Sequence, residues 1–439
     1  MRNSDKKRDN KLYRSNTLYI ILEGVAFTVV LNLYNPFVQM FAKRMGARDI
    51  HIALINALPP LVAVFVLIPF GILIERLNRK KRTAILLIFF TGLFYAAIAF
   101  IPFIQHQEKV LAFVLLIGLM NWPGSLYVTT WQSFFADNFT GAEANRVYSL
   151  RSKYGAFFGL VTVLFTGLVL TEIPKSEGER IVIYQLFYAA CFAISLLQLF
   201  FLSRVRERKT GPVDGSMAKP DASFRKSDLH EMFRNRNFVV FCLCAFLFHI
   251  TWQLGWPLFF LYNANHAMLD EFQLGMVSLS AGVTSFLSFS LWNRLIDKKG
   301  SRLVIIFGVL GIAVNPFFFT RLFGFYYILI VNALVGITAA GFTLALFCGL
   351  LETLPGNKKT VYISVFNTLI NISGFVAPLI GIWIYGRIGI FAAFFLDGVL
   401  RVAAAMLFIG RWWLWKRKMR YGSMDGGTES NKDEIRVTI

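Results

Sequence analysis

The sequence predicts an all-α integral membrane protein with twelve transmembrane helices in two pseudo-symmetric six-helix bundles. Three observations lead to this fold class. The 439 residues are 56% hydrophobic and 16% charged, whereas a soluble domain carries about a quarter charged residues. Apolar stretches of about 20 residues, the length that crosses a bilayer, recur along the chain. Similar segments also recur in the same order in the two halves of the sequence.

The apolar stretches are separated by short polar breaks and are numbered here as spans 1 to 12. Backbone polar groups find no water in lipid, and these stretches are too long for barrel strands, so we predict that each forms a helix. The predicted spans are residues 17–41, 50–74, 83–104, 110–136, 147–171, 182–203, 237–263, 271–293, 303–320, 325–351, 360–385 and 388–410.

The net charge of +20 reflects membrane topology, so we expect no nucleic-acid partner. With the N-terminus inside, the cytoplasmic segments hold 34 of the 45 Lys and Arg residues, and the extracellular loops hold 8. This asymmetry follows the positive-inside rule. We therefore expect a multi-pass protein of the cell membrane with both termini in the cytoplasm. Lys43, Arg44 and Arg48 are an exception, because they cluster in a loop predicted to be extracellular.

The longest polar break separates two halves that resemble each other. The segment "NLYNPFVQMF" around Pro36 matches "QLGWPLFFLY" around Pro257, and two further segments match at nearly the same offset. Three matches in order indicate an internal repeat. The predicted organisation is an N-terminal tail, a bundle, a central loop, a second bundle and a C-terminal tail, at residues 1–16, 17–203, 204–236, 237–410 and 411–439.

The loop after span 2 carries a recognisable signature, "GILIERLNRKKR". The pattern G-x-L-x-D-R-x-G-R-K is matched here by Gly71, Leu73, Glu75, Arg76, Arg79 and Lys80, with Glu75 in place of Asp and Asn78 in place of the second Gly. A weaker copy follows span 8 at Leu295, Asp297, Lys298, Gly300 and Arg302. Together with the twelve spans and the repeat, over residues 17–411, this loop resembles the major facilitator superfamily.

The resemblance implies a gate built from these charged loops. In that family the loop acid caps the start of span 11, and the loop arginine pairs with an acid at the end of span 4. Glycine in the loop allows the helices to approach closely. The residues that carry these roles over to this chain are Gly71, Glu75, Arg79, Asp137, Asp297 and Glu352. The alternative is that the basic residues of the loops only anchor the topology.

Few ionisable residues lie within the spans, where each costs about 2.5–3.5 kcal/mol. Glu23 in span 1 and Lys153 in span 5 lie roughly 10 Å in from the cytoplasmic side. We predict that Glu23 takes up and releases a proton, with Lys153 as its partner and Arg151 close by. The alternative is a static ion pair, or an Arg151 side chain that reaches the interface. Asp397 and Arg401, four residues apart in span 12, are expected to neutralise each other.

Polar and aromatic side chains in spans 1, 4, 7 and 11 are the predicted substrate-binding residues. Residues three or four positions apart share a helix face, and several of these residues recur at equivalent places in the two halves. The resemblance implies that spans 1, 5, 7 and 11 line a central cavity. The predicted set is Asn32, Asn35, Trp122, Gln253, Trp256, Asn367 and Asn371. The alternative is that the amides bond to neighbouring helices.

The resemblance implies a secondary active transporter, not an enzyme, that moves a small organic solute by alternating access. We expect proton-coupled efflux of a drug-like molecule or metabolite. The alternatives are an uptake symporter for a sugar or organic anion, and a flippase for a lipid or lipid-linked sugar. The sequence carries no Walker loop and no metal-ligand cluster, so we expect no cofactor or metal. The expected partners are the lipid bilayer, the small-molecule solute and protons, and we expect a monomer.

Overall fold

The chain is largely α-helical in the part that the computed structural model describes, residues 2–76, 79–104, 108–139, 141–207, 232, 234–354 and 359–424. The α-helices are α1 (Arg2–Tyr34), α2 (Val38–Arg44), α3 (Asp49–Arg76), α4 (Lys80–Phe100), α5 (Glu108–Asn138), α6 (Gly141–Glu172), α7 (Glu177–Arg204), α8 (Arg236–Leu261), α9 (Glu271–Lys299), α10 (Ser301–Val314), α11 (Phe325–Leu351), α12 (Lys359–Ile388) and α13 (Ile390–Met424).

The twelve predicted spans are confirmed. Within the described ranges, twelve helical segments are long and apolar enough to cross a membrane. The first of them, Tyr13–Arg44, contains the part of α1 that starts at Tyr13, a 3-10 turn at Asn35–Phe37, and α2. Pro36 accounts for the turn, because proline lacks the N–H that would continue the α-helical hydrogen bonding. A similar irregularity follows α8, where Tyr262–His266 form a π-helical turn.

Helices extend beyond several predicted span ends. α1 already begins at Arg2, within the segment predicted as a tail, and α13 continues to Met424. Helices need not end where the apolar residues end, because their backbone hydrogen bonds are satisfied internally in water as well as in lipid. α7 ends at Arg204 and α8 starts at Arg236.

The first compact unit, unit 1, comprises Met1–Ser223 and Asp270–Met276. In unit 1, α1 packs on α6 and α7, α3 packs on α5, and α4 packs on α5 and α7. Aromatic rings fill one end of this unit, where Phe41 stacks on Tyr184 with 4.6 Å between ring centroids. The opening turns of α9 belong to unit 1, and the remainder of α9 does not.

The second compact unit, unit 2, comprises Phe224–Leu269 and Val277–Ile439. In unit 2, α8 packs on α12 and α13, and α10 packs on α11 and α13. A Cβ atom at Gly381 of α12 would lie 2.2 Å from the carbonyl oxygen of Leu254 in α8, so only glycine permits this approach. Hydroxyls join α9 to α11, since Thr284 donates to the carbonyl oxygen of Ala333 at 2.7 Å.

Candidate functional site

Unit 1 contains a cavity of about 500 Å³ that is lined by residues of the first span and of α3, α4, α5 and α7. A cavity of this volume lies within the range of about 300–1,000 Å³ that small-molecule sites occupy. Its wall combines aliphatic and aromatic side chains with amides and hydroxyls. The polar groups include Asn35, Gln39, Asn56, Asn121, Ser125, Gln198 and the hydroxyls of Tyr34, Tyr95 and Tyr127.

The cavity offers hydrogen bonds and ring surfaces to a ligand. None of the described residues that line it is Asp, Glu, Lys or Arg. One of the amides also supports the wall itself, because Asn121 of α5 donates to the carbonyl oxygen of Pro59 in α3 at 2.6 Å. This bond joins two helices that face the cavity. The chemistry of the lining therefore suits an uncharged ligand with several donors or acceptors and an apolar or ring face.

A buried carboxylate lies next to this cavity. The Glu23 side chain of α1 is fully buried and is held by three groups. Tyr127 donates its hydroxyl to Glu23 Oε1, Gln198 donates to the same oxygen at 3.0 Å, and Arg151 Nε lies 3.2 Å from Oε2. Tyr127 and Gln198 also line the cavity, so two of the three residues that bind the carboxylate belong to the cavity wall.

Arg151 reaches Glu23 from α6 through a gap in α1. A Cβ atom at Gly24 would lie 2.3 Å from Cγ of Arg151, so residue 24 has to be glycine for the guanidinium to pass. On its other side the guanidinium lies over the ring of Trp131, 4.0 Å from the centroid. Glu23 and Arg151 thus form a partly desolvated ion pair, and the Trp131 ring makes a cation–π contact with the guanidinium.

The predicted partner of Glu23 was wrong. Lys153 is exposed, and Arg151 forms the ion pair in its place. Equal predicted depth along two helices does not fix the direction in which a side chain points. Each residue of an α-helix is rotated by about 100° from the one before it. Arg151 and Lys153 are two positions apart, so their side chains lie on opposite sides of α6.

Of the three predicted substrate-binding residues in unit 1, one lines the cavity and two make other contacts. Of this set, Asn35 lies among the described residues that line the cavity. Asn32 donates to the carbonyl oxygen of Thr28 at 2.8 Å and faces the contact of α1 with α6, where Gly159 makes room for it. Trp122 of α5 stacks against Phe90 at 6.5 Å and is 37% exposed.

In unit 2 the predicted amides bond within and between helices. Gln253 is buried and accepts a hydrogen bond from Ser373 of α12 at 2.6 Å. Asn371 donates to the carbonyl oxygen of Asn367 one turn before it at 2.9 Å, and Asn367 is exposed. Trp256 is 37% exposed and meets Trp252 edge-on at 6.1 Å. These contacts fit the alternative interpretation, in which amides hold helices together.

Asp397 and Arg401 form the expected ion pair inside unit 2. Both side chains are fully buried, with Arg401 Nη2 at 2.7 Å from Asp397 Oδ2. Arg401 also donates to the carbonyl oxygen of Trp252 at 3.1 Å. Gly255 provides the space, because a Cβ atom there would lie 2.2 Å from Arg401 Nη2. The pair is a packing element between α8 and α13.

The structure describes the predicted gate only in its second copy. Glu352, at the end of α11, accepts a hydrogen bond from Ser301 at 2.5 Å and lies 3.8 Å from Arg302 Nε. Both contacts come from the first two residues of α10. Asp297 and Arg79 are exposed. The side chains of Glu75 and Asp137 lie outside the described residues, and so does the packing around Gly71.

Sequence reasoning missed four residues of these two buried networks. Tyr127 is one of 15 tyrosines in the sequence, and Gln198 is one of many amides. Nothing in their spacing distinguishes them from the others. Gly24 and Gly255 could have been found, because each lies where a large charged side chain has to cross a helix surface. Gly24 adjoins Glu23 in sequence, which is the available signal.

The comparisons agree with this architecture. The solved nucleoside transporter NupG superposes with a TM-score of 0.65 at 13% identity, covering 91% of this chain and 98% of that chain. A bacterial homologue of the human lysosomal transporter Spinster gives a TM-score of 0.60 at 14% identity, covering 91% and 96%. The xylose transporter XylE from E. coli gives 0.59 at 14% identity, covering 91% and 96%.

A search of curated proteins gives no match. The sequence pattern of the Major Facilitator Superfamily matches residues 21–248 and 241–423, which together include nearly all of the chain. The chain is therefore a multi-pass membrane protein that transports a small solute and is not an enzyme. It belongs to the Major Facilitator Superfamily.

Proposed function

We propose that this protein is a proton-coupled transporter of a neutral, hydroxylated or heterocyclic solute about the size of a monosaccharide or nucleoside. The observation that carries the proposal is the shared wall of the cavity and the ion network. Tyr127 and Gln198 line a cavity of about 500 Å³ and also donate to the buried carboxylate of Glu23. A solute that bonds to either group competes with Glu23 for the same donor.

The lining favours a neutral polar solute. Asn35, Asn56 and Asn121 offer donors and acceptors, and Tyr34 and Tyr95 offer ring faces and hydroxyls. A charged solute would need an opposite charge, because burying an unpaired ion is costly. Two structurally similar transporters are named for a nucleoside and for xylose, and both solute classes fit this chemistry.

Proton coupling is assigned to Glu23 with Arg151 as its counter-ion. While Glu23 is ionised, the pair is neutral as a whole and the carboxylate is bound by three groups. A proton on Glu23 removes the attraction for Arg151 and leaves a buried guanidinium without its charge partner, which is unfavourable. The protonated carboxyl would therefore favour a different arrangement of α1 and α6, and a change of that kind can be linked to solute movement.

Lys153 has no role in this proposal, because it is exposed on the other side of α6. The gate remains a prediction as well. Glu352 is proposed as the gating acid in unit 2, supported by its contacts with Ser301 and Arg302. We also propose that both termini lie in the cytoplasm, in accord with the distribution of Lys and Arg, and that the protein works as a monomer.

Efflux of a drug-like molecule is the second candidate. The observation that favours it is the aromatic wall of the same cavity, to which Phe27, Tyr34, Tyr95 and Tyr127 contribute. An aromatic wall without ionic groups can hold a planar apolar molecule. The amides and hydroxyls between these rings favour the polar solute, because each would lose its hydrogen bonds to water beneath an apolar ligand.

The experiment is a thermal-shift screen of the purified protein with nucleosides, pentoses, hexoses, organic anions and uncharged planar aromatic drugs, followed by counterflow in liposomes. We expect stabilisation and counterflow with members of the neutral polar classes. Stabilisation and counterflow only with the planar aromatic drugs would favour the second candidate. Stabilisation only by organic anions would refute both. Counterflow measured in both orientations of the protein then gives the direction of transport.

A further inference from the structure

The last helix, α13, carries a dense group of basic and aromatic residues near its C-terminal end. Residues 411–420 read "RWWLWKRKMR" and contain five Lys or Arg and three Trp. No Asp or Glu lies between Asp397 and Asp425 in the sequence. The apolar part of span 12 was predicted to end at residue 410, and α13 continues beyond it to Met424. The group therefore begins where the helix leaves the apolar part of its span.

Two of these cations lie over tryptophan rings one helical turn before them. Lys416 Nζ is 4.9 Å from the centroid of the Trp412 ring, and the guanidinium of Arg417 is 5.5 Å from that of Trp413. Side chains on a helix point back toward its N-terminus, which here means toward the span. A basic side chain at a membrane surface otherwise extends away from lipid into water. These two cations are held instead at the depth of the indole rings.

The same rings are accessible from outside the protein. Trp413 is 55% exposed and Trp415 is 38% exposed, and Lys416 and Arg417 are exposed as well. Tryptophan is enriched at the depth of the lipid headgroups. An exposed ring with a cation over its face presents an apolar surface to acyl chains and a positive charge to the phosphate groups beside them.

Two arginines add positive charge on another side of this helix end. The guanidinium of Arg302, in α10, lies 4.2 Å from the centroid of the Trp415 ring, and its Nη1 atom is buried without a hydrogen-bond partner among the described residues. Its Nε atom is 3.8 Å from Glu352 Oε2, beyond hydrogen-bond distance. Arg411 lies over the ring of Phe241 at 5.0 Å. Arg302 and Arg411 together exceed the charge of Glu352, so the local field favours an anion.

We propose that the end of α13, residues 411–417, binds an anionic phospholipid. Lys416 and Arg417 contact the headgroup phosphate, and the tryptophan rings contact the upper part of the acyl chains. Clusters of about four to eight basic residues next to a membrane span are typical of sites for anionic lipids. If these residues only fixed the topology, the rings beneath the cations would be unnecessary and no headgroup would be preferred. The inference does not depend on the solute or on proton coupling.

The test is thermal unfolding of the purified protein in a maltoside detergent, titrated with dioctanoyl phosphatidylglycerol and, separately, with dioctanoyl phosphatidylcholine. A ligand that binds the folded state raises the unfolding temperature. We expect the anionic lipid to act at concentrations at least about tenfold lower, because each basic residue near an anionic lipid contributes about 1 kcal/mol, roughly a fivefold change in affinity. High salt should reduce the difference, since it screens exposed charges.

Two double variants examine the cations and the rings separately. Lys416→Gln with Arg417→Gln should remove at least about tenfold of the preference for the anionic lipid. Trp412→Leu with Trp413→Leu keeps both cations but frees them to extend into water, so it should also weaken the preference. If this second variant is not produced in folded form, the first decides alone, because its two side chains are exposed.

Lys298→Gln with Lys299→Gln is the matched control. These residues are also adjacent exposed cations near a helix end in unit 2, but Arg294 and Leu295, not tryptophans, stand four positions before them. This variant should keep the full preference.

Three results would overturn the proposal. The first is equal stabilisation by the two lipids. The second is an equal loss of preference in the control variant, because the effect would then come from overall charge. The third is equal stabilisation by glycerol 3-phosphate, which would show that a free phosphate group suffices and that no lipid is required.

Discussion

A Cβ atom on Gly24 would lie 2.3 Å from Cγ of Arg151, so the guanidinium reaches Glu23 only across a residue that has no side chain. This relationship joins three features of the chain: a glycine in α1, an arginine of α6, and a carboxylate buried beside the cavity. It also makes the ion network sensitive to one methyl group, which provides the first prediction.

Gly24→Ala should displace Arg151 and leave Glu23 without its cation. We expect a loss of about 3 kcal/mol in stability, in the range for breaking a buried pair, together with loss of transport. The measurement is thermal unfolding of the purified protein. Gly282→Ala is the matched control, because Gly282 also lies in a helix but has nothing within 4 Å of an added Cβ. That variant should gain up to about 1 kcal/mol from helix propensity. Equal stability of the two variants would contradict the packing described here.

Glu23→Gln should abolish solute accumulation driven by a pH gradient and preserve energy-independent exchange. The amide keeps the shape of the carboxyl group but cannot take up or release a proton, whereas exchange requires only solute binding. The measurement is uptake into liposomes with and without a pH gradient, compared with counterflow in the same preparation. Lys153→Gln is the control and should retain accumulation, because Lys153 is exposed. Accumulation by Glu23→Gln would place coupling elsewhere.

Gly124→Leu should block the cavity without disturbing the fold. Gly124 lines the cavity, and nothing lies within 4 Å of a Cβ atom built there. The added side chain therefore enters the space proposed for the solute. We expect kcat/KM to fall at least about tenfold, equivalent to about 1.4 kcal/mol, with an unchanged unfolding temperature. Gly282→Leu adds the same side chain at an open position outside the cavity and should transport normally. Normal transport by Gly124→Leu would remove the cavity as the solute site.

Asp397→Asn should destabilise the protein by about 3–5 kcal/mol, because it leaves the fully buried Arg401 without a counter-ion. The double substitution Asp397→Leu with Arg401→Met removes both charges and should recover most of this loss. Chemical denaturation in detergent measures both values. If the double variant is folded but inactive, the pair has a role in transport beyond packing.

Much of the fold was predictable because lipid imposes simple rules. Span length and the absence of water in the bilayer core predict the helices, and twelve segments of that kind lie within the described residues. Membrane helices need no long-range pattern to be located. The 3-10 turn at Asn35–Phe37 also follows from a local cause, Pro36.

The site was less predictable, because it depends on helix rotation. Glu23 was identified by its rarity as a charge in a span, but its partner required knowing which side of α6 faces α1. Arg151 and Lys153 differ only in that direction. Gln253 was expected in a cavity and bonds Ser373 in the structure, since an amide in a span serves either purpose equally well. Tyr127 and Gln198 come from separate helices, and the sequence has no sign of their convergence.

The separation of Glu23 from Arg151 has a consequence for biogenesis. The two residues are 128 positions apart, so during synthesis the first span enters the membrane long before its cation exists. It must be inserted with a carboxyl group that has no counter-ion, at a cost of about 2.5–3.5 kcal/mol unless it carries a proton. Asp397 and Arg401, four positions apart, are inserted together as a neutral pair. Assembly of unit 1 is therefore incomplete until α6 has been translated. Span 12, by contrast, contains both members of its ion pair.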